Sequence, residues 1–167
     1  KAVKHKFNQE MLKIAPELQQ QIRASSDPFQ YALRLALAGN IIDFGISGSI
    51  SRDEVMSAIH LIQESDLDSE NIELLREKVA KASRILYLGD NTGEIVLDRL
   101  FIEQFPLERT VFAVRGAPII NDATREDARE TGISKLVEVI DNGDNSPGTV
   151  LSRCSESFRK TFHEADL

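Results

Sequence analysis

The chain has 167 residues, 41% of them hydrophobic and 28% charged, which is the make-up of a globular protein with a core of its own rather than a disordered or fibrous one. Twenty Lys and Arg against 27 Asp and Glu leave a formal net charge of −7, and the basic residues are interleaved with acids, so no nucleic-acid surface is expected. Its single cysteine, Cys154, excludes an internal disulfide and a Cys-cluster zinc site, and no apolar run reaches the roughly 18 residues of a membrane span, so a cytoplasmic location without a membrane partner is expected.

The first half reads as helices. Phe7, Met11, Ile14, Leu18 and Ile22 recur on one helical face. Pro16 interrupts it, which predicts a kink or two abutting helices. Asp27-Pro28 is a helix start, a capping carboxylate followed by a first-turn proline. Phe29, Ala32, Leu33, Ala36 and Leu37 form its buried face, and Gly39 is a natural stop. Ser51-Arg52-Asp53-Glu54 is a capping box opening a third helix to about Gln63. A fourth covers about 71–82, with Ile72, Leu75, Val79 and Ala82 inward.

The pattern then changes. A short apolar run at 84–88 ends in Gly89-Asp90-Asn91 and reads as a buried parallel strand. A helix over 94–104 follows, with Ile95, Val96, Leu97, Leu100 and Phe101 as core candidates. A second strand at 110–114, a helix at 122–130 stopped by Gly132, a third strand at 136–140, a turn-rich 141–148 and a helix at 155–164 complete the chain. Strands alternating with helices imply a parallel sheet. The fold class expected is α/β. A helical part at 1–68 precedes a Rossmann-like metal-binding part at 69–167. The chain opens at Lys1 within a helical pattern and closes at Leu167 just after another, so further sequence is expected at both ends.

Ligands of open parallel sheets bind beyond the carboxyl ends of the strands. The first strand ends in Gly89-Asp90-Asn91-Thr92-Gly93-Glu94. Asp90 and Asn91 carry hard oxygens suited to Mg²⁺ or Mn²⁺, and the amides of the following helix start suit a phosphate. Asp90 is equally well placed to cap that helix. Asp122 lies 32 residues on, at the next strand end. Neighbouring parallel strands are only about 4.8 Å apart, so both carboxylates can reach one cation. A second helix cap is again the plain alternative. Arg115 suits phosphate, or a surface salt bridge. Asn40 and Asp43 stand in the glycine-bounded apolar segment 39–45, where buried polar groups need partners. The Asp141-to-Asn145 turn imitates a calcium loop, but position 12 is Ser152, so calcium is rejected. His5, His60, His163 and Cys154 are read as packing or surface residues.

Gly-Asp-Asn-Thr-Gly-Glu at 89–94, Arg-Gly-Ala-Pro-Ile-Ile-Asn-Asp-Ala-Thr at 115–124, Gly-Asn-Ile-Ile-Asp-Phe-Gly at 39–45 and Pro147-Gly148-Thr149 together resemble the metal-dependent damage-control phosphatases, formerly catalogued as domain of unknown function eighty-nine. The resemblance covers nearly the whole chain in order and is nearest to the stand-alone archaeal and bacterial branch. It implies a three-layer α/β/α core bearing a helical subdomain. It implies a divalent metal (Mn, Mg, Co or Ni) on Asp90, Asn91 and Asp122, and a substrate pocket lined by Asn40, Asp43, Glu94 and Arg115. The family's N-terminal Cys-x-x-Cys and downstream Lys-Gly-x-Gly-Asn segments are not in this chain, so the fragment itself is expected to fold poorly or be inactive.

The expected chemistry is metal-assisted hydrolysis of a small phosphorylated metabolite, such as a sugar phosphate or a damaged intermediate. Asp90, Asn91 and Asp122 hold the cation. Amides of Thr92 and Gly93, with Arg115, stabilise the phosphoryl charge. Glu94 or Asp43 takes the proton from water. Asp90 as the nucleophile competes with its ligand role. The rivals are an S-adenosylmethionine-dependent carboxyl methyltransferase and a non-catalytic metabolite-binding module. The first fits poorly, because Gly89 and Gly93 are separated by three larger residues and Arg115 stands where an acid is expected.

Overall fold

Local sequence signals set most element boundaries. The structure, a computed structural model, describes residues 2–42 and 51–167. Helix α1 (Ala2–Ala24) is one continuous helix through Pro16 rather than two abutting ones. Pro16 removes a single N–H, and the buried Ala15 and Leu18 on either side carry the helix across the gap. Its predicted face is the buried one: Phe7, Met11, Ile14, Leu18 and Ile22 are all 5% exposed or less.

Helix α2 (Pro28–Ile41) starts on Asp27, whose carboxylate accepts from the Gln30 N–H at 3.0 Å. It buries Phe29, Ala32, Leu35, Ala36 and Ala38, while Leu37 faces outward and Leu33 is only partly buried. Gly39 is not its stop. The helix runs on to Ile41, and a Cβ at Gly39 would lie 3.2 Å from Cγ of Glu94. Glycine there permits a close helix–helix approach. Helix α3 (Arg52–Glu64) opens on the predicted capping box of Ser51 and Glu54. Helix α4 (Ser69–Lys81) is capped by Asp68. No described helix is long and apolar enough to cross a membrane.

Strands β1 (Ile85–Leu88), β2 (Thr110–Val114) and β3 (Glu138–Asp141) form a parallel sheet in the order β1-β2-β3, with Ile85 opposite Thr110 and Val111 opposite Glu138. Strand β3 begins two residues later than predicted. A left-handed Gly132 (φ 85) and a 3₁₀ turn at Ile133–Lys135 take up the preceding residues. All five residues of β2 are buried, as a central parallel strand requires. Helices α5 (Glu94–Ile102), α6 (Arg125–Glu130) and α7 (Glu156–Glu164) follow the three strands. Phe112 and Val114 pack with Ile95 of α5 and Ala128 of α6, whereas Ala113 packs with Phe158 of α7. The main core joins α1 and α2 to α5 and β1. The fold is thus mixed α/β, and the helical first half leans directly on the helix that follows β1.

Candidate functional site

The turn after β1 and the turn before α6 are tied together through the backbone. Asn91 and Asp122 form an isolated antiparallel bridge. The Ala123 N–H donates to Asp90 O at 2.6 Å, Thr92 N–H to Asn121 O at 2.8 Å, and Arg115 N–H to Ala123 O at 3.0 Å. Ile120 takes φ 34, a left-handed conformation unusual for a β-branched residue. Asp122 N–H closes that turn on Ile119 O at 2.9 Å.

Neither acid caps a helix. The N-cap of α5 is Gly93, at φ 83 and with no side-chain bond. The N-cap of α6 is Thr124, in a capping box with Asp127. With capping excluded, the two carboxylates converge instead on one group. Asp122 Oδ2 lies 2.5 Å from Nε of Arg115, and Asp90 Oδ1 lies 3.1 Å from its Nη2. Nη1 donates to Thr149 Oγ1 at 2.6 Å. Arg115 is therefore not a surface salt bridge; its side chain is 6% exposed, that of Asp122 8%, and that of Asp90 51%.

Asn91 Nδ2 donates to Asp90 Oδ2 at 2.9 Å and to Glu94 Oε2 at 3.1 Å. Asn40 Nδ2 donates to Glu94 Oε1 at 2.7 Å, reaching in from an exposed position on α2 rather than from the buried setting expected. Burial raises the proton affinity of Glu94; the Asn91 hydrogen bond opposes this and the Asp90 charge adds to it. Asp43 lies outside the described residues. So Asp90, Asn91, Asp122, Glu94, Asn40 and Arg115 form one connected polar cluster at the carboxyl ends of β1 and β2.

The expected amide cradle is corrected. The Thr92 N–H is bonded to Asn121 O, and the Gly93 N–H to Asn8 Oδ1 at 2.9 Å. Thr92 is buried, and its Oγ1 has no hydrogen-bond partner among the described residues. These two amides are engaged in holding the turn, so phosphate binding does not fall to them.

Asn8 went unseen in the sequence. It is fully buried, and its Nδ2 donates to Asp127 Oδ1 at 3.1 Å and Glu130 Oε2 at 2.9 Å. One carboxamide thus pins α1 to the α5 turn and to α6. The signal was present: Asn8 sits at helical spacing from Met11, Leu12 and Ala15, a polar residue on an apolar face. Asn8→Ala leaves the buried Gly93 N–H and Asp127 Oδ1 without this partner, and the partly buried Glu130 with one fewer, and should cost about 2–3 kcal/mol in chemical denaturation.

Asp98 was also missed, although it is an acid inside the apolar run of α5. Tyr87 Oη donates to its Oδ1 at 2.7 Å. Burial, then the Glu94 charge, push the Asp98 carboxyl well above the ordinary carboxylate range, with the Tyr87 hydrogen bond opposing. Such an acid binds its proton more tightly folded than unfolded. Its stabilising contribution is complete at acid pH and is lost as pH climbs past about 4 towards the raised folded value. Asp98→Asn should flatten that decline in a series of urea midpoints against pH, and should match or exceed the unaltered protein near neutrality.

The remaining candidates are peripheral. Asn142 Oδ1 accepts from the Gly116 and Asp144 N–H groups, both at 3.0 Å, so the loop that imitated a calcium site packs against the Arg115 turn. His5 pairs with Glu130, His60 with Glu64, and His163 edges the Phe162 ring. Cys154 Sγ donates to Val150 O at 3.3 Å, and burial pushes its thiol up. Among the described residues no three His, Cys, Asp or Glu side chains gather to hold a metal ion. The two converging carboxylates are hard donors matching a hard divalent ion and already accommodate one positive group, while the neighbouring Asn91 turns its Nδ2 to Asp90 and Glu94 and carries a hard carboxamide oxygen on the same group.

A profile of the damage-control phosphatase ARMT1-like domain matches residues 1–167. The chain belongs to the damage-control phosphatase family. A damage-control phosphatase of Archaeoglobus fulgidus is 31% identical over 169 residues, covering 99% of this chain and 58% of that protein. One of Pyrococcus horikoshii is 34% identical over 142 residues, covering 83% and 49%. A crystal structure of a DUF89 family protein from P. horikoshii superposes with a TM-score of 0.77 at 32% identity, over 96% of this chain and 57% of that one. The chain thus spans about half the length of these damage-control phosphatase relatives.

Proposed function

We propose that this chain forms the metal-holding part of a divalent-metal-dependent phosphatase that hydrolyses monoesters of small phosphorylated metabolites. The observation that carries this reading is the meeting of the Asp90 and Asp122 carboxylates, from separate turns, on a single positive group. Asp90, Asn91 and Asp122 would hold Mg²⁺, Mn²⁺, Co²⁺ or Ni²⁺. When bound, the metal supplies Lewis-acid polarisation of the phosphoryl oxygens.

The chain's own residues do the rest. Arg115 faces the same oxygens and offers charge to a phosphoryl group. Glu94 Oε1 and Oε2 are fixed by Asn40 and Asn91, and burial suits this carboxylate to taking a proton from water. Asn8 and the engaged Thr92 amide keep the turn rigid, so the ligands need little reorganisation. The two differently packed faces of β2 support a Rossmann-like three-layer core carrying residues 1–68 as a helical subdomain. The methyltransferase alternative is not favoured, because the named relatives are damage-control phosphatases.

The test is orthophosphate release from a panel of sugar phosphates, with the protein at its full natural length and each of the four metals. Release that requires metal is the expected result. Absence of release with every metal, together with no Mn²⁺ binding, overturns the reading.

A further inference from the structure

Arg115 stands where a cation between Asp90 and Asp122 belongs, and it is itself a cation. Among the described residues it is the positive group paired with either side chain. Lys4 reaches only the backbone carbonyl of Asp122, at 2.5 Å. The arms of the bridge are unequal. The Asp122 arm is short, at 2.5 Å, and both partners are buried. The Asp90 arm is longer, at 3.1 Å, and Asp90 is half exposed. Thr149 and the backbone bond to Ala123 hold the rest of the arginine in place.

Resting on the metal-binding reading above, we propose that Arg115 is a built-in counter-cation: it holds the carboxylate pair together without metal, and it yields its Asp90 arm while keeping its Asp122 arm when a divalent ion binds. Two like-charged carboxylates in adjacent turns repel one another, and a guanidinium that spans them removes the repulsion. A divalent ion repels that guanidinium and claims the same oxygens. The half-exposed pair is the weaker one, and Asp90 is the ligand that solvent reaches, so this arm opens. Nε on Asp122 and Nη1 on Thr149 then act as a pivot. Metal binding and the Asp90–Arg115 pair are therefore competitors, which makes Arg115 a positioning residue as well as a source of charge.

The experiment is Mn²⁺ titration calorimetry and thermal unfolding of the protein at its full natural length and of its Arg115→Gln variant. The variant should bind Mn²⁺ about two- to fivefold more tightly, the factor that a partly exposed ion pair can withhold. Its metal-free melting temperature should fall, and its rise on adding Mn²⁺ should be larger. Equal or weaker Mn²⁺ binding by Arg115→Gln overturns the proposal and leaves the metal reading standing. No Mn²⁺ binding by the unaltered protein overturns both. Should Arg115→Gln fail to fold, side-chain ¹⁵N spectra of the unaltered protein titrated with Mg²⁺ decide. The Arg115 Nε–H signal should persist while the Nη2 protons begin to exchange with water. Guanidinium signals unmoved at saturating Mg²⁺ overturn the proposal.

Discussion

Asp122→Asn is expected to lower metal-dependent phosphate release at least about a hundredfold. The substitution keeps the shape of the side chain, and its Oδ1 can still accept from Nε of Arg115. What it removes is one of the two negative charges proposed to bind the metal. Mn²⁺ affinity should fall in parallel, so the loss is read both in turnover and in titration. The far-UV circular dichroism spectrum should not change, because Asp122 caps no helix; Thr124 does that for α6. Stability should drop measurably, since a buried arginine loses its charged partner. Turnover within tenfold of the unaltered protein would remove Asp122 from the ligand set and with it the proposed mechanism.

Gly89→Ala should be nearly as damaging, for a steric reason. A Cβ at this position would lie 2.2 Å from Cζ and 2.8 Å from Cε1 of Phe112. Phe112 is fully buried and stacks on Tyr87 at a centroid distance of 5.7 Å, so the ring has nowhere to retreat. Relief requires moving either β2 or the turn that carries Asp90 and Asn91. The expected cost is about 3 kcal/mol or more, at the upper end of core overpacking. That corresponds to a fall in melting temperature of roughly 6–12 °C for a chain of this size. Mn²⁺ binding should weaken as well, because position 89 directly precedes the proposed ligands. A melting temperature unchanged by Gly89→Ala would contradict the packing described.

The chain alone placed what depends on short-range spacing. The apolar face of α1, the caps at Asp27 and Ser51, and the three strands are each set by residues a few positions apart, and hydrophobic periodicity records those directly. Asp90, Asn91 and Asp122 were identifiable as candidates because they follow strand ends, where parallel sheets leave backbone and side chains open to ligands. Gly39 shows the limit of such reasoning. A glycine near a helix end reads as a stop, but its neighbour in space is Glu94, more than fifty positions away, and close approach rather than termination explains it.

Tertiary structure alone decided what the polar groups do. An aspartate before a helix has the same local sequence whether it caps that helix or faces a cation. Gly93 and Thr124 occupy the caps, and Arg115 folds back between two turns, which excludes capping and sets both acids against a guanidinium. The same holds for Asn8, which meets Gly93, Asp127 and Glu130 across at least 85 positions, and for the amides of Thr92 and Gly93, whose partners come from other segments. Hydrogen bonds between distant segments leave no periodic trace in a sequence, because their partners are chosen by packing rather than by spacing along the chain.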